Sequence, residues 1–135
     1  MVFGTFDGLH PGHLNFFKQT RQIFFNVFLI VSVARDRNVL RIKKRLPALR
    51  EKKRLAIIKK SRLADKVVLG GIRNHLSHIL KEKPDAIALG YDQKEYIKGL
   101  KKSLEDKGLS IKIMRLKPYR ENIYKNHLLK QKRKI

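Results

Sequence analysis

Residues 4–13 read GTFDGLHPGH and place His10 and His13 three apart around Gly12, straight after a short apolar segment and at the start of a helix-like one. Glycines let a backbone approach an anion closely, and the unpaired N–H groups of a helix start favour negative charge. Pro11 suits the first helical position because it has no N–H to satisfy. With His10 just before the helix and His13 just inside it, both imidazoles can face one phosphate-sized site. Such a pair fits nucleotidyl transfer, in which charge builds on the oxygens of a five-coordinate α-phosphate. That step needs donors already in place and no protein nucleophile. Two imidazole N–H groups and a lysine form a suitable set, each worth about 3 kcal/mol of barrier. A metal is the competing reading of H-x-x-H with Asp7 nearby, but Gly12 inside the pair and the lack of a third ligand weigh against it.

The chain has 135 residues, 42% of them hydrophobic, which suits one α/β domain over 1–135 with a sizeable core. It contains no cysteine, so disulfides and thiolate metal sites are excluded and nothing points to secretion. No basic leader followed by an apolar run is present, and IFFNVFLIVSVA is too short to span a bilayer. The expectation is a cytoplasmic protein with no membrane span. The net charge of +22 predicts attraction to polyanions such as nucleotides, nucleic acid or acidic membranes without selecting among them, and any nucleic-acid binding would be non-specific. Thirteen basic residues fall within 35–62, against Asp36 and Glu51, and no aromatic is interleaved among them. A single-strand nucleic-acid groove would use such aromatics as stacking platforms.

Strands and helices alternate along the chain. MVFG reads as a strand and PGHLNFFKQTRQIFF as a helix with a stripe of Leu14, Phe17, Ile23 and Phe24. NVFLIVSVA reads as a strand buried on both faces, and 35–49 as loop or irregular helix ending at Pro47. REKKRLAIIKKSRL, DKVVLG, RNHLSHILKEK and PDAIALG follow as helix, strand, helix and strand. QKEYIKGLKKSLEDKG is a helix with Gly108 as C-cap, LSIKIMRL a fifth strand and NIYKNHLLKQKRK a last helix. This order predicts a Rossmann-like, doubly wound, five-stranded parallel sheet with helices on both faces, with ligands at the edge where the strands end. His75 and His78 share a helix face without an acidic partner nearby and read as surface residues.

The ten-residue stretch resembles the signature of the HxGH cytidylyltransferase-like nucleotidyltransferases, which include glycerol-3-phosphate cytidylyltransferase and the archaeal-type FAD synthases. VARD after the second strand, KPDAIALGYDQ around the fourth and RLKPY after the fifth are most similar to the archaeal-type FAD synthases. The resemblance implies an enzyme, usually a homodimer, that moves a nucleoside monophosphate from ATP or CTP to a phosphorylated acceptor. Pyrophosphate is released, and magnesium accompanies the triphosphate. Transfer to FMN is the narrow expectation, a glycerol-3-phosphate cytidylyltransferase-like enzyme or a non-catalytic nucleotide- or RNA-binding module the alternatives. His10 and His13 would then stabilise the transition state. Lys44 would clamp phosphate, with the adjacent Lys43 as the alternative. Gly4, Thr5 and Phe6 would line the nucleotide site through backbone groups, Gly12 would join them there and Asp7 would hold the loop. Gly90 and Asp92 would sit by the base and ribose, with Arg115, Tyr119 and Asn126 completing the nucleotide site. Arg54 and Arg62 occupy places where the family has arginines, or else lie on a solvated helix face.

Three departures from the family pattern stand out. Asn126 and His127 replace the Ser/Thr pair at the start of the last helix. FFNV replaces the usual Gly-Asp turn before the second strand, and MVFG leaves a very short first strand or one that begins upstream of Met1.

Overall fold

Five short strands pair side by side, all parallel, in the order β3-β2-β1-β4-β5. They are β1 (Val2–Gly4), β2 (Ile30–Val33), β3 (Lys66–Leu69), β4 (Ala86–Leu89) and β5 (Lys112–Arg115). The computed structural model describes residues 1–71, 75–90 and 99–117. The connecting helices are α1 (Pro11–Ile23), α2 (Asp36–Lys43), α3 (Glu51–Ser61), α4 (His75–Glu82) and α5 (Leu100–Asp106). None of the described helices is long and apolar enough to cross a membrane.

Alternation along the strands explains why the sheet is coated on both sides. Val2, Val31, Val33, Val67 and Ala88 face one core, closed by Phe17 of α1 and Ile58 of α3. Phe3, Ile87 and Leu89 face the other, closed by Ile79 of α4 and by Leu100 and Leu104 of α5. The inner strands bury successive residues on opposite faces, so their sequences run almost continuously apolar. The chain steps outward from β1 to β2 and β3, then returns to β4 on the other flank of β1. That reversal leaves a crevice beyond the ends of β1 and β4, where a doubly wound sheet takes its ligand. This is the fold expected from the sequence.

Several local expectations are corrected. Of 26–34 only Ile30–Val33 is strand. Asn26 turns the chain with φ 51°, and Phe28 is 65% exposed. In α1 the expected stripe is rotated: Phe17 and Thr20 are buried, whereas Leu14 and Ile23 are among the exposed large apolar residues. The helix faces the sheet through positions 13, 16, 17 and 20, a 3.6-residue period that skips both. A regular helix, α2, forms within 35–49, where Val39 is its one buried residue and a left-handed Lys44 ends it. A single buried side chain leaves little periodic signal in a sequence. Gly108 closes α5 as expected. With φ +72° it lets the Gly108 N–H reach Glu105 O at 2.9 Å and the Leu109 N–H reach Leu104 O at 3.0 Å. The first part of the expected 93–108 helix, and the terminal one, lie outside the described residues.

His78 is not on the surface. It is 8% exposed, with Nε2 at 2.9 Å from the Ser32 hydroxyl of β2, itself 2% exposed. A hydroxyl buried among apolar side chains needs a partner, and a histidine one helix away supplies it. The side chain of His75 lies outside the described set.

Candidate functional site

Three features of the loop after β1 set the histidines in place. Phe6 adopts φ 52°, which turns its ring back into the core at 5% exposure. There it lies over Gly4, tilted against Phe17 at 5.4 Å and edge-on to His13 at 5.3 Å between centroids. Phe6 was expected to offer backbone to a nucleotide, and its side chain proves to be a support for His13. Gly8 follows with φ +93°, and its N–H returns to Phe6 O at 2.9 Å. Asp7 holds the loop as expected: its two carboxylate oxygens accept the Ala48 N–H at 2.7 Å and the Leu49 N–H at 2.8 Å.

His10 is the N-cap of α1. Its Nδ1 accepts the Gly12 N–H at 3.0 Å and the His13 N–H at 3.4 Å, while His13 Nδ1 accepts the His10 N–H at 3.4 Å. Two histidines thus form the reciprocal cap usually made by a hydroxyl residue and a glutamate. The amide of Gly12, expected at the nucleotide, is engaged in this cap. The rings stack with centroids 3.7 Å apart and planes inclined by 21°.

This arrangement decides the chemistry. A nitrogen that accepts an N–H carries a lone pair, so each neutral ring bears its proton on Nε2. Both histidines are therefore N–H donors with a defined tautomer, and the His13 ring uses its hydrogen on the Gly8 carbonyl. Burial lowers the His10 pKa below its usual value. Burial first, then the neighbouring His10, lowers that of His13 to about 4, with Lys43 adding to the effect. Both rings are neutral at pH 7, which permits the close stack.

The shift has a consequence for stability. In the unfolded chain His13 takes up a proton near pH 6.5, in the folded chain only near 4, so its contribution is complete above pH 6.5 and is lost as pH falls towards 4. Between pH 7 and pH 4.5 the protein should lose about 2 kcal/mol through this residue. Urea unfolding of the wild type and of His13→Gln at both pH values checks this, since the variant should lose correspondingly less.

Lys43, at the end of α2, has Nζ 3.4 Å from Thr5 Oγ1. The cationic partner of the loop is thus the residue next to the expected Lys44, which instead caps α2 in a left-handed conformation, its N–H on Leu40 O. On the far side of the crevice, pairing of Val2 with Ala88 brings Gly90 alongside Gly4 two residues on. Arg115 Nη1 lies 3.5 Å from Gly90 O, so these two expected site residues come together. Asp92, Tyr119, Asn126 and His127 lie outside the described residues.

Arg54 does not lie on a solvated helix face. It is fully buried rather than solvated, and its guanidinium is spent on Leu49 O, Thr5 O and Asp36. Arg62 is exposed and takes the left-handed C-cap of α3. No spacing rule links residues 5, 36, 49 and 54, so nothing in the sequence announced this cluster. Among the described residues no group of three His, Asp or Glu side chains could hold a metal ion, so the two imidazoles gain no third ligand there.

Comparison with known proteins agrees with this geometry. The family model described as cytidylyltransferase-like matches residues 1–132. The chain is 43% identical over 117 residues to the FAD synthase of Korarchaeum cryptofilum, covering 86% of this chain and 79% of that protein. It is 39% identical over 123 residues to the FAD synthase of Methanothermus fervidus, covering 90% and 84%. The crystal structure titled lipopolysaccharide core biosynthesis protein from Thermoplasma volcanium superposes with a TM-score of 0.79 at 34% identity, covering 88% of this chain and 95% of that one. With its five-stranded parallel sheet and its paired imidazoles at the mouth of the first crossover, the chain belongs to the cytidylyltransferase-like family.

Proposed function

We propose that this chain, acting as one domain, is an FMN adenylyltransferase, forming FAD and pyrophosphate from ATP and FMN. The observation that carries the reading is the stacked His10–His13 pair with its protons held on Nε2, in a chain 37–43% identical to proteins named FAD synthase. An oxygen of the FMN phosphate attacks the α-phosphorus of ATP; that P–O bond forms as the bond to the β-bridging oxygen breaks, and pyrophosphate leaves. The attacking phosphate is already ionised, so no base is required. Neutral N–H donors that stay neutral suit this reaction, because the transition state needs hydrogen bonds to its oxygens rather than proton transfer. The triphosphate would compete with the Gly8 carbonyl for the His13 N–H. The Lys43 ammonium, beside Thr5, would meet phosphate oxygens, with Lys44 one residue on. Magnesium would enter with the triphosphate as part of the substrate.

The experiment is a pyrophosphate-release panel crossing ATP and CTP with FMN and glycerol 3-phosphate. Release with ATP and FMN is the expected result. Release with CTP and glycerol 3-phosphate instead would assign the cytidylyltransferase reaction. Calorimetric binding of nucleotide without release from any acceptor would make the chain a binding module. A third acceptor, a sugar phosphate, belongs in the panel, because the solved relative is titled a lipopolysaccharide core biosynthesis protein.

A further inference from the structure

Arg54, on α3, is the bulkiest fully buried side chain among the described residues, at 0% exposure. Burying a guanidinium is costly unless each nitrogen is matched, and here each is. Nε donates to Leu49 O at 2.9 Å, Nη1 to Thr5 O at 2.8 Å and Nη2 to Asp36 Oδ1 at 2.7 Å. These partners belong to three separate segments: the loop after β1, the run before α3 and the start of α2.

The same segments are tied to one another. Glu51 Oε1 accepts the Asp36 N–H at 3.0 Å and Asp36 Oδ2 accepts the Glu51 N–H at 3.2 Å, so the first residues of α2 and α3 cap each other's helix. Arg35 joins Glu51 at 2.9 Å and donates to Gly70 O at 3.1 Å, bringing in the end of β3. The Leu49 peptide is gripped from both sides, its N–H by Asp7 and its carbonyl by Arg54. Between these anchors runs the exposed cationic stretch Lys43, Lys44 and Arg45. Thr5 thus has its carbonyl on Arg54 and its hydroxyl near Lys43.

We propose that Arg54 is a positioning residue for nucleotidyl transfer: it locks the loop that carries the histidines to the cationic segment after α2, and so sets the distance between the imidazoles and the lysine. This rests on the transfer reaction proposed above. An error of about 1 Å in such a constellation costs up to about 100-fold in rate. The test compares wild type, Arg54→Met, Arg54→Lys and Ile58→Val, the last a core change on the same helix, outside the network, that gives the stability reference. Arg54→Met should lower kcat by about 30-fold with KM for ATP within about threefold. Arg54→Lys should recover much of the melting temperature, because its ammonium still meets Asp36, yet leave kcat low. Brief native trypsin treatment mapped by mass spectrometry should cut after Lys43, Lys44 or Arg45 about tenfold faster in both Arg54 variants than in Ile58→Val.

Recovery of kcat together with stability in Arg54→Lys would overturn the proposal, as would cleavage no faster than in Ile58→Val. Should Arg54→Met fail to fold, Arg54→Lys carries both readouts. Should the wild type transfer nothing to any acceptor, the function assigned above fails while the cleavage result still decides whether Arg54 holds the segment.

Discussion

His10→Asn should lower kcat by about 100- to 1,000-fold while leaving nucleotide affinity and stability nearly unchanged, the loss seen when one donor to a transition-state oxyanion is removed. The reason lies in the two jobs of this ring. Its Nδ1 caps α1 by accepting the Gly12 and His13 N–H groups. Its Nε2–H is the donor that can serve chemistry. Asparagine is among the best N-caps, and its Oδ1 stands where Nδ1 stands, so helix and loop should persist. The Nε2 donor has no counterpart. His10→Gln provides the complement, because its amide N–H reaches towards the Nε2 position but abandons the cap, at a cost of about 1 kcal/mol in stability. Steady-state kinetics and urea melts on the two variants separate the roles. A His10→Asn enzyme with kcat within about threefold of wild type would reduce the ring to a helix cap.

Gly4→Ala should destabilise the fold by about 3 kcal/mol, at the upper end for an overpacked core site. A Cβ on Gly4 would lie 2.6 Å from Cζ and 2.8 Å from Cε2 of Phe6. Those atoms are not the loose end of a surface side chain. The ring is wedged against Phe17 and His13, so making room moves the group that supports the His13 imidazole. Activity should fall along with stability. Gly8→Ala is the informative contrast, since Gly8 has φ +93° but no atom within 4 Å of where its Cβ would stand. Its cost is only that of the left-handed backbone, about 1 kcal/mol. Equal losses in urea denaturation for the two variants would mean that backbone conformation, rather than the Phe6 ring, is what matters at Gly4.

The outline of the molecule was written in local patterns. Continuous apolar stretches such as KVVL and AIAL announce strands covered on both faces, and GTFDGLHPGH announces an anion-facing turn into a helix. Asp7 was legible as a loop anchor by resemblance, although its partners, the amides 41 and 42 residues on, were not. That Lys43 rather than Lys44 lies beside Thr5 depended on where α2 stops, and a helix with one buried residue gives a sequence almost nothing from which to place its end. The inward turn of the Phe6 ring and of His78 was hidden for a related reason, and His78 was misjudged as a surface residue. Whether an aromatic ring or an imidazole turns inward depends on a gap left by distant residues, here Gly4 with Phe17 in one case and Ser32 in the other.

Residue order alone therefore determined the sheet, its first crossover and the two histidines there, because each is encoded in neighbours a few positions apart. Tertiary packing decided the burial that keeps those rings neutral, which lysine lies beside Thr5 and the conversion of Arg54 from a surface cation into an internal clamp. Those outcomes rest on hydrogen bonds and ring contacts between segments far apart in the chain, and their energies exist only once the segments have met.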